Sequence, residues 1–135
     1  QRVRALITQD YKEAFTKYLK IGAPAYVPRE KITPVLAINI IRQAGGVAVL
    51  AHPGSNISQQ EIVQWKKEGL QGIEVSHPDH SPQQTEEYRI IAKKLNLIAT
   101  GGSDYHGPSI KPEVKLGQWG TGLETIEIIE KAKIK

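Results

Sequence analysis

Apolar residues follow a helical period in the first third of the chain. One stripe of them consists of Tyr11, Ala14, Phe15, Tyr18 and Leu19. Asp10 and Glu13 form a capping-box pair at its start. A second helix is predicted from its cap, Thr33, to about Ala44, after a proline-containing connector over residues 23–28 that cannot lie inside a helix.

After residue 45 the pattern changes to short apolar runs that alternate with amphipathic segments. Three runs predict buried strands, over residues 46–51, 72–76 and 97–100. The segments between and after them predict helices that begin at the caps Ser58 and Ser81 and at about Leu123. This order of elements predicts parallel strands joined by right-handed helical crossovers, and therefore an α/β fold.

All four histidines follow predicted strands. His52 comes after the first strand, His77 and His80 after the second, and His106 after the third. Ligand sites in parallel α/β sheets lie at the carboxyl edge, because the loops that follow the strands converge there. We therefore expect these side chains to share one edge of the sheet.

Asp104 and His106 are the sharpest candidates for a metal site. Residues two apart at a strand end point the same way, so this carboxylate and this imidazole face one point. With His52 they form a mixed imidazole and carboxylate set, which suits Zn, Mn or Fe better than Ca or Mg. The alternative for the pair alone is a capped turn with His106 on the surface.

His77 and His80 have three interpretations: further metal ligands, contacts to a substrate phosphate, or solvated loop residues. His80 precedes the cap Ser81, and a helix N-terminus favours anions, so phosphate contact is the functional role that we assign to both histidines. Glu74, inside the second strand, is expected to form a structural ion pair with a lysine.

Composition narrows the class of protein. The 135 residues suffice for one domain, and 18 Lys and Arg against 14 Asp and Glu give a net charge of +4. That excess permits an anionic substrate but is not the dense basic stripe of a sequence-reading nucleic-acid domain. Cysteine is absent, which excludes disulfides and thiolate chemistry and favours a cytoplasmic protein. Methionine is also absent and the chain begins with Gln1, so we expect a piece of a longer protein.

Three motifs, in this order, resemble those of the PHP (polymerase and histidinol phosphatase) superfamily. They are residues 44–54 around His52, residues 72–80, and residues 100–107 around Asp104 and His106. Within the superfamily the chain is most similar to the branch of small metal-dependent phosphoesterases. Those enzymes remove the 3′-phosphate of nucleoside 3′,5′-bisphosphates and trim RNA from its 5′ end.

The resemblance implies a distorted (β/α)7 barrel, with residues 46–135 as its C-terminal βα units and residues 1–45 as a helical insertion and lead-in helix. It implies about two or three divalent ions (Mn, Fe or Zn), with His52, Asp104 and His106 as late ligands, and a phosphorylated nucleotide or RNA as substrate. The family's early ligands would lie upstream of Gln1, in a missing N-terminal part of the same protein. The piece alone is therefore expected to be inactive and to self-associate through open strand edges.

Three other functions stay open at this point. One is a PHP phosphatase that acts on a small metabolite such as histidinol phosphate. Another is a non-catalytic PHP-like module that has lost its metals. The third is a nucleic-acid-binding element, whose affinity would fall steeply with salt and would not respond to chelators.

Overall fold

The computed structural model describes residues 11–28 and 31–133, and the chain divides into two compact units. The first unit extends to Lys31 and contains α1 (Tyr11–Ala14), followed directly by a π-helix (Phe15–Leu19). The backbone N–H of Lys20 donates to the carbonyl of Phe15, which closes the wider turn of the π-helix. The sequence predicted one continuous α-helix here. The cap predicted at Asp10 lies outside the described residues.

The second unit begins at Ile32 and combines a parallel sheet with helices. Its elements are α2 (Pro34–Gln43), β1 (Val49–Leu50), α3 (Gln59–Lys67), β2 (Gly72–Ser76), α4 (Pro82–Lys94), β3 (Ile98–Gly101) and α5 (Glu124–Ala132). The strands lie in the order β1-β2-β3, and both neighbouring pairs are parallel. The predicted α/β class is confirmed. Among the described residues, no helix has both the length and the apolar character needed to cross a membrane.

Three of the helices begin where the capping chemistry predicted. The Thr33 side chain accepts a hydrogen bond from a backbone N–H in the first turn of α2. Complete capping boxes join Ser58 to Glu61 at the start of α3 and Ser81 to Gln84 at the start of α4. The hydrogen bonds from Ser58 hold the pKa of Glu61 below its usual value. The caps at Ser58 and Ser81 fix where α3 and α4 begin after the loops that carry His52 and His77.

The core lies between the sheet and its helices. Ile62 of α3 and Ile73 of β2 are fully buried, and α4 adds Tyr88 and Ile91 to the same cluster. Trp65 packs against this cluster. Because β2 is paired on both sides and its inward residues are buried, the loop that follows it begins at a strand that is anchored on both sides.

The first strand is shorter than the sequence predicted. It was expected over residues 46–51, whereas β1 contains only Val49 and Leu50. At Ala48 only the carbonyl pairs with the neighbouring backbone, by accepting from Gly72, while its N–H donates to the side-chain oxygen of Gln71 at 3.2 Å. At the other end the chain turns at His52, which has a positive φ of 27°. The second strand has the predicted bounds, and the third is displaced by one residue.

Candidate metal and phosphate site

The carboxyl ends of the three strands bring side chains from three separate motifs together. His52 follows β1, His77 follows β2, and Asp104 follows β3. The ring centroids of His52 and His77 are 5.4 Å apart. Nε2 of His77 lies 3.7 Å from Oδ2 of Asp104. The site therefore spans the whole edge of the sheet.

The loop after β3 holds its side chains by charge. Nε2 of His106 lies 3.3 Å from Oδ1 of Asp104. Nζ of Lys111 lies 3.1 Å from Oδ2 of Asp104 and 3.2 Å from Oδ2 of Asp79. The hydrogen bond from Lys111, and then the charges of Lys111, His106 and His77, hold the pKa of Asp104 below its usual value. Asp104 is therefore an anion at neutral pH, as a metal ligand must be.

Two of the predicted ligands sit at strained backbone positions. His52 has a φ of +27° and Asp104 a φ of +44°, a region that residues with a Cβ rarely adopt. Such strain costs free energy and tends to persist where it serves function. The positive φ of these two residues is compatible with a functional role, but it is not confined to the site, since Asn96 has a φ of +49°.

Two contacts fix the loop that carries His52. Oε2 of Glu74 accepts a hydrogen bond from the backbone N–H of His52 at 2.6 Å, and the hydroxyl of Tyr88 donates to the carbonyl of Gly54. The sequence had suggested an ion pair for Glu74, but its carboxylate makes none within residues 11–28 and 31–133. The carboxylate instead accepts from the N–H of His52, which lies beyond the end of β1.

The loop after β2 is buried and is organised by the backbone. His77 is 2% exposed and His80 is 9% exposed, which excludes the solvated-loop interpretation for both. Nδ1 of His77 accepts the backbone N–H of Asp79 at 3.1 Å, and Nδ1 of His80 lies 3.1 Å from the carbonyl oxygen of Val75. In each ring Nε2 is buried and has no hydrogen-bond partner among the described residues.

Comparison with known proteins identifies the relatives of this arrangement. No protein-family model matches the chain. It is 35% identical over 105 residues to a 3′,5′-nucleoside bisphosphate phosphatase of Chromobacterium violaceum, covering 74% of this chain and 37% of that protein. It is 34% identical over 111 residues to the 5′-3′ exoribonuclease Rnm of Escherichia coli, covering 78% of this chain and 37% of that protein.

A solved structure from Bifidobacterium adolescentis, described as a metal-dependent phosphoesterase, agrees with these relatives. It matches with a TM-score of 0.79 and 28% identity, over 96% of this chain and 46% of that chain. The chain is a relative of the PHP metal-dependent phosphoesterases. The resemblance drawn from the three motifs is thereby confirmed. The chain spans 37% of the length of the two enzymes to which it was matched by sequence.

The donor set fits the metal dependence of the PHP relatives. His77, Asp79 and Asp104 each offer a ligand atom, and these atoms all lie within 4.8 Å of one another. By distance and by donor type, such a group could hold one divalent ion. His106 is in contact with Asp104, and the His52 ring lies beside that of His77, so the same edge also offers two further imidazoles.

Two residues at this edge of the sheet were not named as candidates from the sequence. Asp79 stands between His77 and His80 in a strand-end loop, and that position was the available signal for it. No sequence pattern pointed to Lys111, because its contact with Asp104 depends on how the irregular loop after β3 folds.

Proposed function

We propose that this chain carries part of the active site of a metal-dependent phosphoesterase that hydrolyses phosphate esters of nucleotides or RNA, of the 3′,5′-bisphosphate phosphatase type. The observation that carries the proposal is the meeting of three motif side chains, His52, His77 and Asp104, at the carboxyl edge of a parallel sheet. The relatives named as a nucleoside bisphosphate phosphatase and an exoribonuclease support the reaction class.

His52, Asp104 and His106 are the proposed metal ligands. The positive φ at His52 and Asp104 is compatible with this role, and the contact of His106 with the ionised Asp104 supports it. Bound divalent ions, of Mn, Fe or Zn, would neutralise phosphoryl charge and lower the pKa of a water, so that hydroxide is available at neutral pH as the nucleophile. The chain's part is to hold these ligands in place, through the Glu74 contact to the backbone of His52 and through the cation of Lys111 beside Asp104.

His77 and His80 are proposed to contact the phosphate of the substrate. Both are buried at the same edge, and the centroids of the two rings lie 5.3 Å apart. The net charge of +4 is compatible with an anionic substrate. The cysteine-free composition favours a cytoplasmic location for this chemistry.

The three strands are proposed to belong to a (β/α)7 barrel. Within the described residues β1 and β3 are each paired on one side only, so each has an edge at which a further strand could add. In the intact enzyme these further strands, with further metal ligands, would come from another part of the same polypeptide. The chain alone is then expected to bind metal weakly, to show negligible turnover and to self-associate; a strictly monomeric mass in concentrated-solution scattering would contradict this.

The test of the proposed function joins metal content to turnover. Metal is measured by mass spectrometry, and phosphate release from adenosine 3′,5′-bisphosphate is followed with Mn²⁺. Both are measured for this chain and for the chain extended by the coding sequence upstream of Gln1. We expect bound metal and turnover in the extended protein.

In that protein Asp104→Asn removes the ionised ligand. Turnover should fall at least about 100-fold, since outer partners of metal ligands alone cost 10- to 100-fold. Glu86→Gln, an exposed carboxylate paired with Arg89 on α4, is the control and should leave turnover unchanged. Retained turnover in Asp104→Asn would remove the metal assignment, and an extended protein free of metal would remove the function.

A further inference from the structure

Two buried imidazoles in the loop after β2 have opposite hydrogen-bond patterns. Nδ1 of His77 faces a backbone donor, the N–H of Asp79. Nδ1 of His80 faces a backbone acceptor, the carbonyl of Val75. Each ring therefore has one nitrogen committed to the backbone, and its Nε2 is buried without a partner among the residues that the structure describes.

These contacts determine which nitrogen carries the proton in each neutral ring. A neutral imidazole has one N–H and one lone pair. Because Nδ1 of His77 accepts a hydrogen bond, its lone pair is used there and the proton is on Nε2. Because Nδ1 of His80 faces a carbonyl oxygen, which can only accept, the proton is on Nδ1 and the lone pair is on Nε2. In their neutral forms the two rings therefore differ: Nε2 of His77 can donate a hydrogen bond to a phosphoryl oxygen, whereas Nε2 of His80 can only accept one. The proposed contact of His80 with the phosphate thus requires a protonated phosphate oxygen or a doubly protonated ring.

We propose that His77 is a hydrogen-bond donor and not a metal ligand, and that its Nε2–H binds a phosphoryl oxygen at the edge that Asp104 shares. The phosphoryl part rests on the proposed function. Ligation of a metal through Nε2 would require either an imidazolate or the loss of the bond from Asp79, whereas donation requires neither. On this interpretation, Asp79 and Asp104 lie close to His77 because they surround a hydrogen-bond donor, and His77 does not belong to the set of metal ligands.

The surroundings of this N–H favour an external acceptor. Nε2 of His77 is 3.7 Å from Oδ2 of Asp104, which is longer than a hydrogen bond, and leaving a buried donor unpaired is unfavourable. The two carboxylates beside it would repel an anion if they were alone. Lys111 contacts both of them and offsets that charge, and the proposed metal ions would add to the effect.

The first test needs no substitution. Nitrogen-15 NMR of the imidazole side chains distinguishes a protonated ring nitrogen from one with a free lone pair. At neutral pH and with a chelator present, we expect His77 to show the proton on Nε2. His80 should show it on Nδ1 and serves as the internal control in the same spectrum. A proton on Nδ1 of His77 would overturn the proposal.

The second test uses two amide substitutions and inorganic phosphate as the probe. His77→Asn keeps an acceptor near the Nδ1 position for the Asp79 N–H but has no group near Nε2. His77→Gln places an amide N–H near Nε2. In calorimetric titrations with Mn²⁺ present, we expect His77→Asn to weaken phosphate binding roughly tenfold or more, and His77→Gln to stay within about threefold of the original chain.

The outcomes separate this inference from the proposed function. Phosphate binding that is undetectable in the original chain, unchanged in His77→Asn, or equally weak in both variants overturns the donor role. If the proton is on Nε2 and the two variants differ as expected, the donor role stands, even where the extended protein hydrolyses no bisphosphate and the proposed function fails. Hydrolysis in the extended protein, with phosphate binding unchanged by His77→Asn, leaves the function standing without this donor.

Discussion

The loops after β2 and β3 hold their candidate site residues by different forces. In the β2 loop, His77 and His80 are buried and their rings are oriented by backbone hydrogen bonds. In the β3 loop, Asp104 and His106 have side chains 33% and 54% exposed and are held by ion pairs. The arrangement of the β2 loop therefore forms when the chain folds. The arrangement of the β3 loop depends on the charges around it and can change when a cation or an anion binds.

The elements around each loop explain this difference. The β2 loop is short and is anchored at both ends, by a central strand and by the capping box at Ser81. The β3 loop leads into residues 102–123, which contain no helix or strand, and it reaches α5 only at Glu124. A short loop between fixed ends leaves its side chains few alternatives, while a long irregular one needs contacts such as that of Lys111 with Asp104 to select one arrangement.

The largest predicted effect concerns stability and uses one histidine from each loop. His80→Ala removes a side chain that packs beside Tyr88, at 5.2 Å between ring centroids, and removes the hydrogen bond between Nδ1 and the Val75 carbonyl. We expect it to lower the free energy of unfolding by about 2–3 kcal/mol. His106→Ala removes an exposed ring, and its effect should stay within about 0.5 kcal/mol.

Urea unfolding with a chelator present measures both variants under the same conditions. The chelator matters because bound metal would stabilise the folded state through any ligand that binds it. If the two substitutions cost the same, the contrast between a packed loop and a charge-held loop is wrong.

A smaller effect is expected at Lys111. Lys111→Met removes the cation that bridges Asp79 and Asp104 and leaves two carboxylates facing each other. Because both carboxylates are partly exposed, the loss of unfolding free energy should be about 0.5–1 kcal/mol and should shrink as salt is added. Lys115→Met is the matched control: Lys115 is an exposed lysine of the same segment and makes no ion pair in the part of the chain that the structure describes. Equal losses in the two variants, or a loss that does not respond to salt, would contradict the ion-pair account.

Local signals in the sequence were enough to predict the helix starts and the central strand. The capping boxes at Ser58 and Ser81 and the bounds of β2 depend on residues within a few positions of one another. The three motifs, through their resemblance to the PHP superfamily, identified the family. The predicted parallel topology implied that the residues after the strands would lie at one edge of the sheet.

Features that depend on distant contacts were not available from the sequence. The contact of Glu74 with the backbone of His52 spans 22 positions, and that of Lys111 with Asp79 spans 32. The proton positions of His77 and His80 depend on which backbone group each ring meets, and no residue pattern encodes that. Candidate site residues could therefore be named from the sequence, but the proposed division of them into ligands and donors rests on contacts that only the fold shows.

The smallest predicted effect is a pH dependence confined to the charge-held loop. The pKa of Asp104 is lowered, chiefly by the hydrogen bond from Lys111, and the pKa of Lys111 is raised, chiefly by its hydrogen bond to Asp104. A lowered carboxyl pKa stabilises the fold above the unfolded value of about 3.9, and this stabilisation is lost as the pH falls through the folded value. A raised lysine pKa stabilises the fold below about 10.4, and this stabilisation is lost as the pH rises through the folded value.

The stability difference between the original chain and Lys111→Met should therefore be constant from about pH 5 to pH 9 and should shrink below about pH 4. The difference between the original chain and Lys115→Met, measured by urea unfolding over the same range, should show no such decline, because Lys115 has no carboxylate partner among the described residues whose protonation would remove it.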